Sequence, residues 1–213
     1  MELTRFGHAS VALERDGRRL VLDPGAFTDA SALDGAEAVL ITHEHVDHFL
    51  EDRIRAALAD SPGLEVWTNP AVAAALDGLG PRVRAVGAGD AFTAAGFDVK
   101  VFGEWHAVIH PDIPVVRNVG FLVDDALFHP GDALTTPDVP VDTLLVPAHA
   151  PWSRTADLID WVREVKPGRA IGVHDALLSE LGLGLVTRML GEGGPGTGAP
   201  YQRVEVGERV TVG

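Results

Sequence analysis

The sequence predicts an α/β (α+β) fold, a partly parallel sheet with helices outside it. Short apolar, β-branched runs such as Ala38 to Thr42 and Ala170 to Val173 recur along the chain, and runs of this kind read as buried strands. Between them lie stretches of helical periodicity: Leu158, Ile159, Trp161, Val162 and Val165 share one helix face. Strands that alternate with helices call for crossover connections and a sheet covered by helices. A length of 213 residues, 46% of them hydrophobic, is enough for a sizeable buried core. Residues 1–213 are taken as a single domain, in which two half-domains can share that core.

In chain order, Leu3 to Glu14 and Arg19 to Leu22 read as two strands joined at Asp16-Gly17, a hairpin signal. Gly7-His8-Ala9-Ser10 then falls inside the first strand, and Asp23-Pro24-Gly25 ends the second. Ala38 to Thr42 is the next strand, followed by a helix from Phe49 to Ala59 closed by Ser61-Pro62-Gly63. Glu65 to Thr68 is a short strand. Asn69-Pro70 supplies an N-cap and a first helical residue for a helix through Leu76. Arg82 to Val86 and Phe97 to Phe102 read as strands. Asn118 to Val123 and Ala126 to Phe128 form a hairpin across Asp124-Asp125. Asp142 to Val146, the helix Ala156 to Val165, the strand Ala170 to Val173 and the helix Ser179 to Leu190 follow. Gly191 to Pro200 is a Gly/Pro-rich loop, and Arg203 to Val212 reads as a terminal hairpin around Gly207-Glu208.

The chemistry concentrates in His43-Glu44-His45-Val46-Asp47-His48. Residues two apart in extended chain point the same way, so His43 and His45 aim at one point. Asp47 and His48 fall on the turn before the helix. Three imidazoles and a carboxylate at one strand-to-helix junction exceed what one first-row metal needs from a short segment, and suggest two ions side by side. The formal net charge of −14 disfavours nucleic-acid or anionic-membrane surfaces. No Cys is present, so there is no thiolate ligand, disulfide or thiol nucleophile. No signal peptide and no membrane span is read, and a soluble cytoplasmic protein is the expectation.

The H-x-H-x-D-H string on a strand-to-helix loop resembles the metal signature of the metallo-β-lactamase superfamily, in particular its small members related to L-ascorbate-6-phosphate lactonase. The resemblance implies a four-layer αββα sandwich with metals at one edge of two packed sheets. It implies further that His43, His45 and His106 hold one ion, that Asp47, His48 and His174 hold the other, and that Asp132 of His129-Pro130-Gly131-Asp132 bridges them. His110 competes with His106 for the third position. His8 in the G-H-A strand is a group beside the ligands or a satisfied strand histidine, and Asp23 orients an imidazole or forms a turn. His129 stands beside the ligands. His149 and Trp152 depart from the family pattern and either line the substrate pocket or pack. His110 lies in a Pro-rich loop able to cover the site.

Two divalent ions, zinc first and manganese or iron as alternatives, would share a bridging hydroxide that attacks a carbonyl or phosphoryl centre. The implied activity is hydrolysis of a small-molecule ester, lactone or phosphoester. Asp47 would orient the hydroxide, and His149 would act as general acid. A non-catalytic metal-binding or sensing protein is the alternative, and a nuclease a weaker one. A homo-oligomer is compatible with the sequence.

Overall fold

Two seven-stranded sheets pack face to face with helices on both outer sides. The computed structural model describes residues 1–213. The first sheet is built from β1 (Glu2–Gly7), β2 (Ser10–Arg15), β3 (Arg18–Leu22), β4 (Ala38–Ile41), β5 (Glu65–Thr68), β6 (Val83–Ala85) and β14 (Arg209–Thr211), in the order β14-β1-β2-β3-β4-β5-β6. The second contains β7 (Ala91–Ala94), β8 (Phe97–Phe102), β9 (Gly120–Val123), β10 (Leu127–His129), β11 (Thr143–Pro147), β12 (Arg169–Val173) and β13 (Tyr201–Arg203), in the order β13-β12-β11-β10-β9-β8-β7. The helices are α1 (Glu51–Asp60), α2 (Pro70–Ala75), α3 (Thr155–Val165) and α4 (Glu180–Leu190).

The two-residue period of the strands sorts apolar side chains into layers. Leu20, Leu22 and Leu40 of the first sheet meet Phe121, Val123, Leu145 and Ile171 of the second in the central core. Their neighbours Val21, Val39 and Ile41 face the other way, against Ile54 and Leu58 of α1 and Val72 of α2. On the opposite side Leu144, Val146 and Ala170 pack against Leu158, Ile159, Trp161 and Val162 of α3. The result is the four-layer αββα sandwich.

Three elements differ from the sequence reading. The stretch from Leu3 to Glu14 is two antiparallel strands, not one, because the chain reverses at Gly7-His8, both with positive φ. A Cβ at Gly7 would lie 2.6 Å from the carbonyl oxygen of Phe27, so the turn requires glycine. The strand β7 is additional; its alternation is short and mostly exposed. The C-terminal stretch is not a hairpin: β13 pairs with β12 in the second sheet, whereas β14 pairs with β1 in the first. Between them the backbone turns on itself, with Glu208 N–H donating to Glu205 O at 3.0 Å, and bonds to β1, with Arg5 N–H donating to Glu208 O at 3.2 Å and Gly207 N–H to Arg5 O at 2.8 Å.

Candidate metal centre

The C-terminal ends of β1, β3 and β4 in the first sheet open on the same edge as those of β8, β10 and β12 in the second. The backbone joins the sheets there, with His174 N–H donating to His8 O at 2.8 Å and Val119 N–H to Thr42 O at 3.1 Å. His8 follows β1, Asp23 follows β3, and the His43 to His48 string follows β4. His106, Asp132 and His174 follow β8, β10 and β12. His8, Asp23 and His174 hold positive φ, a cost for non-glycine residues that clusters at functional sites.

Three groups of potential ligand atoms form at this edge, each with all its atoms within 4.8 Å: His43, His45 and His106; His43, His48 and Asp132; and His8, Asp47, His48 and His174. The hydrogen bonds identify which nitrogen of each ring is free. His48 Nδ1–H donates to Asp23 Oδ2 at 2.7 Å, His106 Nδ1–H to Ala107 O at 2.5 Å, and His174 Nδ1–H to His149 O at 2.6 Å. His43 Nδ1–H donates at 2.9 Å to Thr42 Oγ1, whose own hydroxyl donates at 2.8 Å to Asp23. In these four rings Nε2 keeps its lone pair and points inward. His45 presents Nδ1 instead, 3.2 Å from His43 Nε2. An outer acceptor that fixes the tautomer and leaves the inner nitrogen bare is the arrangement of metal-binding imidazoles.

The same rule separates two histidines from the others. Ala176 N–H donates to His8 Nδ1 at 3.3 Å, so the proton of His8 sits on Nε2 and is given to Asp47 Oδ2 at 3.1 Å. His8 therefore steadies Asp47 and does not offer a lone pair. Gly131 N–H donates to His129 Nδ1 at 3.2 Å, leaving Nε2–H to face Asp23 Oδ2 at 3.1 Å. Asp23 is thus a fully buried hub that holds His48 directly and His43 through Thr42, with His129 Nε2 facing the same carboxylate.

The centre has a deficit of positive charge. Nε2 of His48, His106 and His174 and Oδ1 of Asp132 are buried without a hydrogen-bond partner. His48 Nε2 faces Asp132 Oδ1 at 3.1 Å, and His174 and His106 face Asp132 Oδ2 at 3.2 and 3.4 Å. With the ring protons on Nδ1, these are lone pairs set against lone pairs, which only a cation or added protons relieve. In the metal-free protein the surroundings favour added protons. Burial alone would depress His174, but the hydrogen bonds to Asp132 and Asp47 raise it from 6.5 to about 9. Burial opposes the charge on His48 too, yet Asp132 and Asp23 carry it well above its ordinary value. Burial would raise Asp132, and the facing imidazoles hold it well below the usual carboxylate range instead. His43 is held well below its ordinary value by burial and by the charge of neighbouring His48. Buried imidazoles and carboxylates that favour a positive charge among them fit divalent ions.

The remaining residues from the sequence are placed as follows. Trp152 is half-buried, and its indole N–H donates to Asp132 Oδ2 at 2.9 Å, with the ring edge-on to His106 at 6.0 Å. His149 reaches the cluster through its carbonyl; its imidazole, expected as a general acid, is exposed and is not brought to the cluster. His110 is 60% exposed and accepts from Asp112 N–H at 3.1 Å, so the geometry brings His106 and not His110 to the other potential ligands. Two contributors have no signature in the sequence. Thr42 relays Asp23 to His43, and Asn118 Oδ1 accepts from Asp132 N–H at 3.0 Å while its amide donates to Pro130 O at 2.9 Å.

The chain is similar to known proteins in sequence and in fold. The family model described as a beta-lactamase superfamily domain matches residues 2–174. The Mycobacterium tuberculosis protein Rv0786c is 42% identical over 185 residues, which cover 84% of this chain and 86% of that protein. A metal-dependent hydrolase of Carboxydothermus hydrogenoformans is 28% identical over 193 residues, 82% of this chain and 84% of that one. In fold, the chain is similar to Igni18, a metallo hydrolase from the archaeon Ignicoccus hospitalis, with a TM-score of 0.70 and 18% identity over 98% of this chain and 97% of the other.

Proposed function

The chain belongs to the beta-lactamase superfamily and is a metal-dependent hydrolase, and we propose that it uses two divalent ions to cleave a small-molecule ester, lactone or phosphoester. The observation that carries this reading is the pair of adjoining ligand groups meeting at Asp132, with inward nitrogens that have no partner. His43, His45 and His106 would hold one ion, Asp47, His48 and His174 the other, and Asp132 both. Zinc suits imidazole with carboxylate. When bound, such ions lower the pKa of a water and polarise the oxygen of the bond to be broken.

The chain's own residues supply orientation. Asp23, Ala107 O and His149 O keep four ring protons on the outer nitrogens. His8 fixes Asp47, the half-exposed carboxylate at the mouth, so that its second oxygen is free to orient the attacking water. In the metal-free protein burial alone would raise Asp47, but the hydrogen bonds from protonated His174 and from His8 and the charge of His48 hold its carboxyl well below the usual range. An ionised, immobile acceptor positions a water without competing for its proton.

Elemental analysis of protein purified without chelator is expected to give close to two equivalents of divalent metal per chain. Asp132→Asn is expected to weaken both equivalents and to lower turnover by at least about 100-fold with the fold intact. Unchanged metal content and turnover in that variant would remove Asp132 from the centre. Turnover by the loaded protein across activated esters, lactones and phosphodiesters separates hydrolysis from metal storage or sensing.

A further inference from the structure

The surface of the chain carries ten exposed large apolar side chains, and their distribution is uneven. Four lie in the loop that follows His106 or beside it: Trp105, Val108, Ile113 and Val115. Five more are Phe27, Val46, Leu177, Leu181 and Leu185, exposed by 47, 58, 61, 87 and 60%. Only Val206 lies elsewhere. Contiguous exposed apolar surface marks a binding site on a soluble protein, whereas scattered residues do not.

The second set is continuous with the metal centre. Val46 lies between His45 and Asp47, the ligands that face solvent. Ala26 N–H donates to Val46 O at 2.8 Å, which brings Phe27 alongside, and the Phe27 ring stands edge-on to His8 with centroids 5.4 Å apart. His8 Nδ1 accepts from Ala176 N–H at 3.3 Å, and Leu177 follows Ala176. Leu181 and Leu185 continue from there, four residues apart on one face of α4, a helix that buries only Leu190.

We propose that the substrate is amphiphilic, an ester or lactone with a hydrocarbon chain, and that the chain lies on the wall formed by Phe27, Val46, Leu177 and Leu181 while the reactive group sits at the metals. This rests on the hydrolytic reading above and narrows its substrate class. Hydrolysis adds water across the acyl C–O bond, the hydroxyl going to the acyl carbon and the proton to the leaving oxygen. A polar substrate would leave this wall in water, where it contributes nothing.

The test uses the metal-loaded protein and p-nitrophenyl esters from acetate to decanoate, with calorimetric binding of decanoate against butanoate. The kcat/KM is expected to rise at least about 10-fold from butanoate to decanoate, as partial burial of each added methylene requires. In the double variant Leu177→Gln, Leu181→Gln the decanoate-to-butanoate ratio is expected to fall to near one, with an unaltered melting profile because both side chains are exposed. Measurable turnover with a flat chain-length response and no preference for decanoate overturns the amphiphilic substrate and leaves the hydrolytic reading standing. No turnover of any ester, with decanoate still bound at the wall, overturns ester hydrolysis and keeps the apolar site. A wild-type dimer by sedimentation that the double variant dissolves, with an unchanged chain-length ratio, assigns the wall to a second copy and also overturns the proposal.

Discussion

At the scale of single residues, the δ nitrogen decides each histidine's role. An acceptor opposite Nδ1 leaves a bare inner nitrogen in His43, His48, His106 and His174. A backbone N–H opposite Nδ1 turns His8 and His129 into donors. Trp152 acts on the same scale, because its N–H is a side-chain donor to the carboxylate that faces three imidazoles. Trp152→Phe keeps the ring and removes the donor. Metal affinity, measured by competition with a chromophoric chelator, is expected to weaken about 10-fold. Trp161→Phe, which removes an indole N–H bonded to Thr135 O at 3.2 Å away from the centre, is the control and is expected to leave affinity unchanged. Equal affinities in wild type and Trp152→Phe would assign Trp152 to packing alone. The sequence names every residue in the three donor groups, because ligand chemistry is written in residue type. It does not disclose Thr42, Asn118 or the carbonyl of His149, since hydroxyls, amides and backbone oxygens recur throughout any chain and gain meaning only from position.

At the scale of elements, the turn that carries Asp47 and His48 rests on the loop after β3. A Cβ at Gly25 would lie 2.1 Å from the carbonyl carbon and oxygen of Asp47 and 2.4 Å from His48 N. Both are backbone atoms, so no side-chain movement relieves the overlap. Gly25→Ala is expected to cost about 3 kcal/mol in chemical denaturation and to reduce bound metal; native stability in that variant would show that the two loops separate freely. Periodicity made β8, the β9–β10 hairpin, α3 and α4 legible to within a residue or two. It missed the reversal at His8, where the strand pattern continues through the turn, and it mistook β13 and β14 for partners. A Gly-Glu turn between two short strands reads as a hairpin, and nothing local tells that each strand finds a stronger neighbour in a different sheet.

At the scale of the whole molecule, the charge balance of the centre predicts how stability follows pH. The folded pKa of His174, about 9, lies above its ordinary 6.5. Metal-free protein therefore gains from this proton fully below about pH 6.5 and loses the gain as pH rises through about 9. Thermal or denaturant unfolding of chelated protein is expected to show a loss of roughly 2–3 kcal/mol over that window. Metal-loaded protein, in which a cation replaces the proton, is expected to show no such loss and to be more stable throughout. A pH-independent metal-free form would mean that Asp132 and Asp47 are not facing a protonated His174.

The two sheets are drawn from successive stretches of chain, residues 2–85 and 91–203, apart from the final strand. A ribosome has therefore delivered His43, His45 and His48 long before it makes Asp132 and His174. The early histidines emerge with half a coordination sphere. A metal ion held at that stage would lack the donors Asp132 and His174, so tight loading is expected only once the second sheet has docked on the first. The donor groups are completed only where the two halves meet, so docking of the sheets is the last step in building the centre.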